Sequence, residues 1–140
     1  MDLLIQPYEA MGPVRFGMRR DEVRAAIGTK VSPFMKGLDS TTLTDSFDDE
    51  RIHVYYDEQD CCEAVEVASP SVPLLEGQAL LGRPFSEVRD WLMSRDSEVE
   101  LDGAGLIAFT LGVGLYAPSA LKEPDEPVEG VIAFRRGYYD

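Results

Sequence analysis

Two stretches of the chain carry apolar residues at the spacing of an amphipathic helix. In the first, Val23, Ala26 and Ile27 recur at positions i, i+3 and i+4, which places them on one side of a helix. This spacing predicts a helix over about residues 20–27. The second stretch predicts a helix over about 84–93 with a heavier apolar stripe, which consists of Phe85, Val88, Trp91 and Leu92.

Alternation of apolar and polar residues after each helix predicts β-strands. The alternation is strongest where Ile52, Val54 and Tyr56 share one face of a strand and His53 and Tyr55 share the other. A β-hairpin is expected here, because a polar four-residue turn separates this strand from the next. The predicted strands cover residues 42–47, 51–56 and 61–68 after the first helix, and 106–111, 113–117 and 128–134 after the second.

The order of one helix and three strands occurs twice, which indicates an internal repeat. The helix segment that starts at Gly17 aligns with the segment that starts at Gly82, and both contain the sequence Glu-Val-Arg. The two copies would cover residues 1–70 and 71–140 and form one compact domain. The expected fold class is α+β, with two tandem helix-plus-antiparallel-sheet repeats and both helices packed on one face of the sheet.

The first helix segment resembles a known family motif. Residues 16–28 read Phe-Gly-Met-Arg-Arg-Asp-Glu-Val-Arg-Ala-Ala-Ile-Gly, which is similar to the Gly-Met-Thr-x-x-Glu-Val-x-x-x-Leu-Gly segment of the small outer-membrane assembly lipoproteins of the SmpA/OmlA type. A similar helix opens each tandem repeat of the β-lactamase inhibitor protein. Arg19 stands where that pattern has a capping Ser or Thr. The resemblance implies a tandem-repeat fold and an inhibitor that binds its partner with its sheet.

The composition narrows the classes of partner. The chain has 140 residues, 44% hydrophobic content and a formal net charge of −13. Such a charge repels nucleic acid phosphates and anionic membranes, so we expect neither as a partner and instead expect a protein, with a basic one favoured. The first residues lack the basic region of a signal peptide, and the neighbouring Cys61 and Cys62 are expected to be free thiols. Both observations favour a cytoplasmic protein.

Few residues offer catalytic chemistry. His53 is the only histidine, and a general base needs a pocket and an orienting partner. Cys62 would share the open face of the hairpin with His53 if the two formed a nucleophile–base pair, but no third group is identifiable. We therefore expect no enzymatic activity, no cofactor and no resident metal. The acidic segment 45–50 remains open to three interpretations: a solvated turn, a cation site, or a patch that engages a basic partner.

The predicted strands place tyrosines out of phase with the core, on an open sheet face that suits protein recognition. The predicted function is a non-enzymatic, acidic protein-binding module, most specifically an immunity- or inhibitor-type protein that neutralises a toxin enzyme. The alternatives are a small-ligand-binding protein, a hydrolase that uses the open face, and an assembly or scaffold subunit. The predicted partner-binding residues are His53, Tyr55, Glu66, Tyr116, Asp45, Asp48, Asp49 and Glu50.

Overall fold

The computed structural model describes residues 1–139, which fold mostly into β-structure. The two helices are short: α1 spans Arg20–Ile27 and α2 spans Phe85–Met93. The strands are β1 (Asp2–Gln6), β2 (Ala10–Met11), β3 (Val14–Arg15), β4 (Ser32–Met35), β5 (Leu43–Phe47), β6 (Ile52–Tyr56), β7 (Cys62–Val67), β8 (Val72–Leu75), β9 (Gln78–Ala79), β10 (Val99–Asp102), β11 (Gly105–Ala108), β12 (Val113–Tyr116) and β13 (Gly130–Phe134).

The strands form two sheets. The larger sheet has eight strands in the order β10-β11-β12-β13-β7-β6-β5-β4, and every pair of neighbours is antiparallel. The smaller sheet has five strands in the order β3-β2-β1-β8-β9, with β1 and β8 parallel. Both sheets contain strands from before and after residue 70, so neither belongs to one half of the chain.

The expected α+β fold class is therefore wrong. The predicted strands all lie outside residues 1–16 and 70–79, whereas these two segments supply all five strands of the smaller sheet. Four of its strands have only two to four residues each, and in β1 the exposed Leu4 between the buried Leu3 and Ile5 hides the period of two. Two helices of eight and nine residues are too short to cover one face of the sheet as predicted. The smaller sheet also packs against that face.

The helix predictions themselves agree with the structure, for local reasons. At the start of α1, the backbone N–H of Arg19 donates to Glu22 Oε1 at 3.0 Å, which satisfies one of the free amides of a helix start. At its end, Gly28 has a φ of 73°, a left-handed conformation that glycine adopts without strain. The apolar stripes are buried at Val23 and Ile27 in α1, and at Phe85, Val88 and Leu92 in α2.

One continuous cluster of buried side chains joins both sheets and both helices. The larger sheet contributes one of its faces, including Val54, Val65 and Leu115, and the smaller sheet contributes Leu3 and Met11. We call this face of the eight-stranded sheet the inner face, and the opposite one the outer face. Since successive strand residues point to opposite faces, every second residue of the larger sheet lies on the outer face.

A buried carboxylate ties α1 to the larger sheet. Asp45 on β5 is fully buried, and Arg24 donates to both of its oxygens, at 2.7 and 2.9 Å. Arg20 Nη1 and the Tyr56 hydroxyl donate to the same carboxylate, each at 2.9 Å. Burial by itself raises the pKa of Asp45, but the hydrogen bonds from Arg24 and Tyr56 and the charges of both arginines outweigh it, so the pKa is lowered.

We predict that Asp45→Asn lowers the free energy of unfolding by about 2–4 kcal/mol, because two arginines would lose their buried counter-charge. Urea denaturation at pH 7 measures the loss, and Asp49→Asn, an exposed change in the next turn, is the control that leaves stability unchanged.

The folded pKa of Asp45 lies below its unfolded value of about 3.9. The stabilisation is therefore present above that pH and is lost as the pH falls through the folded pKa. The difference between wild type and Asp45→Asn should begin to shrink below about pH 4 and continue to shrink as the pH falls through the folded pKa; a difference that does not change with pH would contradict this account.

Candidate functional site

The outer face is continuous across all eight strands. The pairing registers place one residue of each strand directly beside the next. The resulting row consists of Ser32, Ser46, His53, Glu66, Ile132, Gly114, Ile107 and Glu100. His53 and Glu66, both predicted to bind a partner, are direct cross-strand neighbours in this row.

Tyr116 is the most exposed aromatic residue of the outer face, with 49% of its surface accessible. It is paired with Gly105 on one side and Gly130 on the other. A Cβ at Gly130 would lie 3.4 Å from Tyr116 Cβ, so the absent side chain leaves the tyrosine room beside its neighbour. The Tyr116 side chain, with its apolar ring and polar hydroxyl, is therefore not covered by side chains from the two residues paired with it.

Tyr55 does not share this exposure. Only 7% of its surface is accessible, and it packs with Ala64, Phe134 and Tyr138 in a second buried cluster on the outer face. Its hydroxyl donates to Glu66 Oε1 at 2.5 Å, and burial together with this carboxylate raises its pKa far above the ordinary value. Tyr55 thus orients Glu66 but does not offer a surface of its own to a partner.

The cover over Tyr55 comes from the end of the described chain. The Tyr138 ring stacks on Phe134 with centroids 5.8 Å apart, and the Tyr139 ring meets Phe134 edge-on at 4.9 Å. From the opposite side, Lys36 Nζ lies 4.0 Å from the centre of the Tyr55 ring. The aromatic residues Tyr138 and Tyr139 are therefore packed against the sheet.

Two of the hollows on the outer face share Glu66 and Tyr116 in their linings. The first, which we call the tyrosine hollow, has a volume of about 320 Å³. Its lining includes Tyr55, Glu66, Asp102, Tyr116, Tyr138 and Tyr139. The second, which we call the histidine hollow, has a volume of about 460 Å³, and its lining includes Arg51, His53, Glu66, Tyr116 and Glu129.

The acidic segment is divided between core and surface. Asp45 is the buried partner of Arg20 and Arg24, so it cannot contact a partner as predicted. Asp48 and Asp49 are exposed, and Asp48, which accepts a hydrogen bond from the Ser46 hydroxyl, lines a recess of about 310 Å³ together with His53. Glu50 is partly buried and accepts a hydrogen bond from Thr29 at 2.5 Å. The exposed part of the segment therefore borders the outer face.

The side chains of His53 and Cys62, which would have to share one face to act as a nucleophile–base pair, lie on opposite faces of the sheet. A register shift between Tyr55 and Tyr56 pairs Cys62 with Tyr56, and Cys62 belongs to the main core. Burial raises its pKa to about 12, so the thiol keeps its proton at neutral pH. The His53 ring instead meets the edge of Phe34, with centroids 5.2 Å apart.

Among residues 1–139 we find no group of three or more His, Cys, Asp or Glu side chains placed to hold a metal ion. None of the helices in this range has the length and apolar character needed to cross a bilayer.

Sequence reasoning missed several residues of the site. Asp102 lies on β10, which was not among the predicted strands, although Glu98, Glu100 and Asp102 alternate with Val99 and Leu101. This alternation was a usable signal. Nothing local could have indicated Lys36 or Tyr139, because long-range packing alone brings them to the hollow.

We predict that one thiol per chain reacts quickly with Ellman's reagent. Cys61 is partly exposed whereas Cys62 is buried with a raised pKa, so Cys62 should react at least ~100-fold more slowly until the protein is unfolded. Cys61→Ser should remove the fast phase, and Cys62→Ser should leave it intact. A fast phase that survives Cys61→Ser would show that Cys62 is accessible.

In comparisons with known proteins, no family model, no curated protein and no solved structure matches the chain.

Proposed function

We propose that this chain is a non-enzymatic protein-binding module that docks a basic partner on its outer face. The proposal rests on one observation: Tyr116 projects between two hollows whose linings contain Glu66 and further acidic residues. An exposed tyrosine beside a concave surface is a common anchor in protein interfaces, since it gives rigid contact area and a hydrogen-bonding tip. More specifically, the partner would be an enzyme that the chain neutralises, as an immunity protein does.

The width of the outer face suits contact with another protein. Eight strands spaced by about 4.8 Å give a face roughly 35 Å wide, comparable with the span of about 30 Å of a patch of about 800 Å², the area that a typical interface covers on each partner. The aromatic cluster around Tyr138 covers one part of this face. The part that carries His53, Glu66 and Tyr116 stays accessible.

The charge supports a basic partner. The net charge of −13 creates a long-range field, and Asp48, Asp49 and Glu129 are exposed near the face. Such a field raises the rate of encounter with a positively charged protein. Rapid capture suits an inhibitor that must block its target before damage is done.

The proposal is tested with a partner that is first captured and identified, then purified. We predict that Tyr116→Ala speeds dissociation by about 10- to 100-fold, because an anchor of 1–3 kcal/mol is removed. Biolayer interferometry measures the rates. Leu4→Ala is the matched control, since Leu4 is equally exposed, at 52%, on the other sheet. Tyr55→Ala is unsuitable, because that side chain is part of a buried cluster. Equal dissociation rates for wild type and Tyr116→Ala would place the interface elsewhere.

The chain and its purified partner also serve to test the electrostatic part of the proposal, the attraction of a basic protein. We predict that association slows about tenfold or more between 50 and 500 mM salt, as screening shortens the reach of the field. Asp48→Lys together with Asp49→Lys should lower the association rate and leave the dissociation rate almost unchanged. An assay of the partner's own activity with and without the chain tests inhibition. Binding that is indifferent to salt and to these charge reversals would contradict a steered, basic partner.

A further inference from the structure

We propose that the tyrosine hollow is the binding site for an arginine side chain of the partner protein. This inference rests on the proposed function and names the chemistry of its main contact. Three independent features of the hollow support it: aromatic walls, carboxylates without a cationic partner, and a cation already bound to one of its tyrosines.

Aromatic rings line the hollow, contributed by Tyr116, Tyr138 and Tyr139. Gly114 lines it too, and the Ile132 side chain packs over this glycine, since a Cβ there would lie 2.9 Å from Ile132 Cγ2. A guanidinium group is planar and weakly hydrated, so it stacks on aromatic faces more readily than an ammonium group does.

The lining carries two carboxylates, from Glu66 and Asp102. Glu66 Oε1 accepts the Tyr55 hydroxyl at 2.5 Å, which fixes the carboxylate at the junction of the two hollows. Within the part of the chain that the structure describes, no salt bridge pairs Glu66 or Asp102 with a cation. An arginine from outside would supply that charge and donate hydrogen bonds to carboxylate oxygens at the same time.

The chain itself shows that this surface attracts cations. Lys36 Nζ lies 4.0 Å from the centre of the Tyr55 ring, and Lys36 lines one end of the hollow. On the flank of the same aromatic cluster, the Arg136 guanidinium lies 4.2 Å from the centre of the Tyr8 ring. Lys36 occupies the Tyr55 end, so an incoming arginine would occupy the end formed by Tyr116, Glu66 and Asp102.

The setting favours a protein side chain as the source of the guanidinium. The tyrosine hollow and the histidine hollow share Glu66 and Tyr116, so a partner whose arginine fills the first also covers the second. The acidic charge of the chain favours a basic segment around that arginine.

The test uses the full-length chain and a defined probe, N-acetyl-arginine-N′-methylamide, followed by ¹H–¹⁵N NMR. We predict saturable shifts of the Gly114 and Gly130 amides at millimolar probe. The matching citrulline amide, which has nearly the same shape but no charge, should produce shifts at least about fivefold weaker. Shifts confined to the exposed turn around Asp48 and Asp49, or equal binding of the citrulline amide, would overturn the proposal.

Two variants separate the proposed contacts from general charge attraction. Glu66→Gln keeps an acceptor for the Tyr55 hydroxyl and removes one charge, and we expect it to weaken probe binding about fivefold. Tyr116→Leu keeps an apolar side chain without a π face and should weaken binding by about two- to fivefold. Glu123→Gln removes the same charge from an exposed loop and is the control that leaves probe binding unchanged. Equal weakening by all three variants would overturn the site.

The outcomes also distinguish this inference from the proposed function. Absence of probe binding, with Tyr116→Ala still accelerating dissociation of the partner, overturns the arginine site and leaves the proposed function standing. Probe binding as predicted, with partner binding indifferent to Tyr116→Ala and Glu66→Gln, supports guanidinium recognition and overturns the proposed docking face. Loss of partner affinity when one arginine of the partner is replaced by citrulline or lysine, and only with intact Glu66, supports both.

Discussion

The pairing of β7 with β13 is the interaction on which the rest of the structure depends. It joins strands that are more than sixty residues apart, in the register Val67 to Val131 and Glu66 to Ile132. Because side chains alternate between faces, a slip of one residue would exchange the buried valines with Glu66 and Ile132. The core requirement for Val65, Val67 and Val131 on the inner face therefore also fixes which residues meet on the outer face.

The outer face shows how one surface serves both stability and exposure. At one end, Tyr138 and Phe134 bury Tyr55, whose hydroxyl in turn holds Glu66. At the other end, glycines next to Tyr116 leave the sheet without covering side chains. The buried Tyr55 orients the Glu66 carboxylate, which lines the hollows beside Tyr116. Packing at the covered end thus fixes a group of the surface that we propose to bind a partner.

The contrast between Asp45 and its neighbours in the acidic segment has an electrostatic reason. Asp45 shares the inner face with Phe47, two residues along β5, and a carboxylate there is tolerated only with charged partners. Arg20 and Arg24, one turn apart on α1, supply them. Asp48 and Asp49 follow the strand in an exposed turn. They are therefore at the surface, where composition alone would place all four acidic residues of segment 45–50.

The sequence by itself determined the two helices and the central strands β5–β7 and β11–β13, because an apolar period of 3.6 or 2 is a local property that a few residues can display. Tertiary structure alone decided the five-stranded sheet, the edge strand β4, the burial of Asp45 and the cover over Tyr55. These features depend on partners far along the chain: β1 pairs with β8, Asp45 binds Arg24 of α1, and Tyr138 packs in the cluster of Tyr55 on β6. Their alternation along the strands was enough to assign three residues to one face: His53, Glu66 and Tyr116. Their arrangement around two hollows required the pairing of β7 with β13. Long-range hydrogen bonds set the register of that pairing, and no local pattern encodes it.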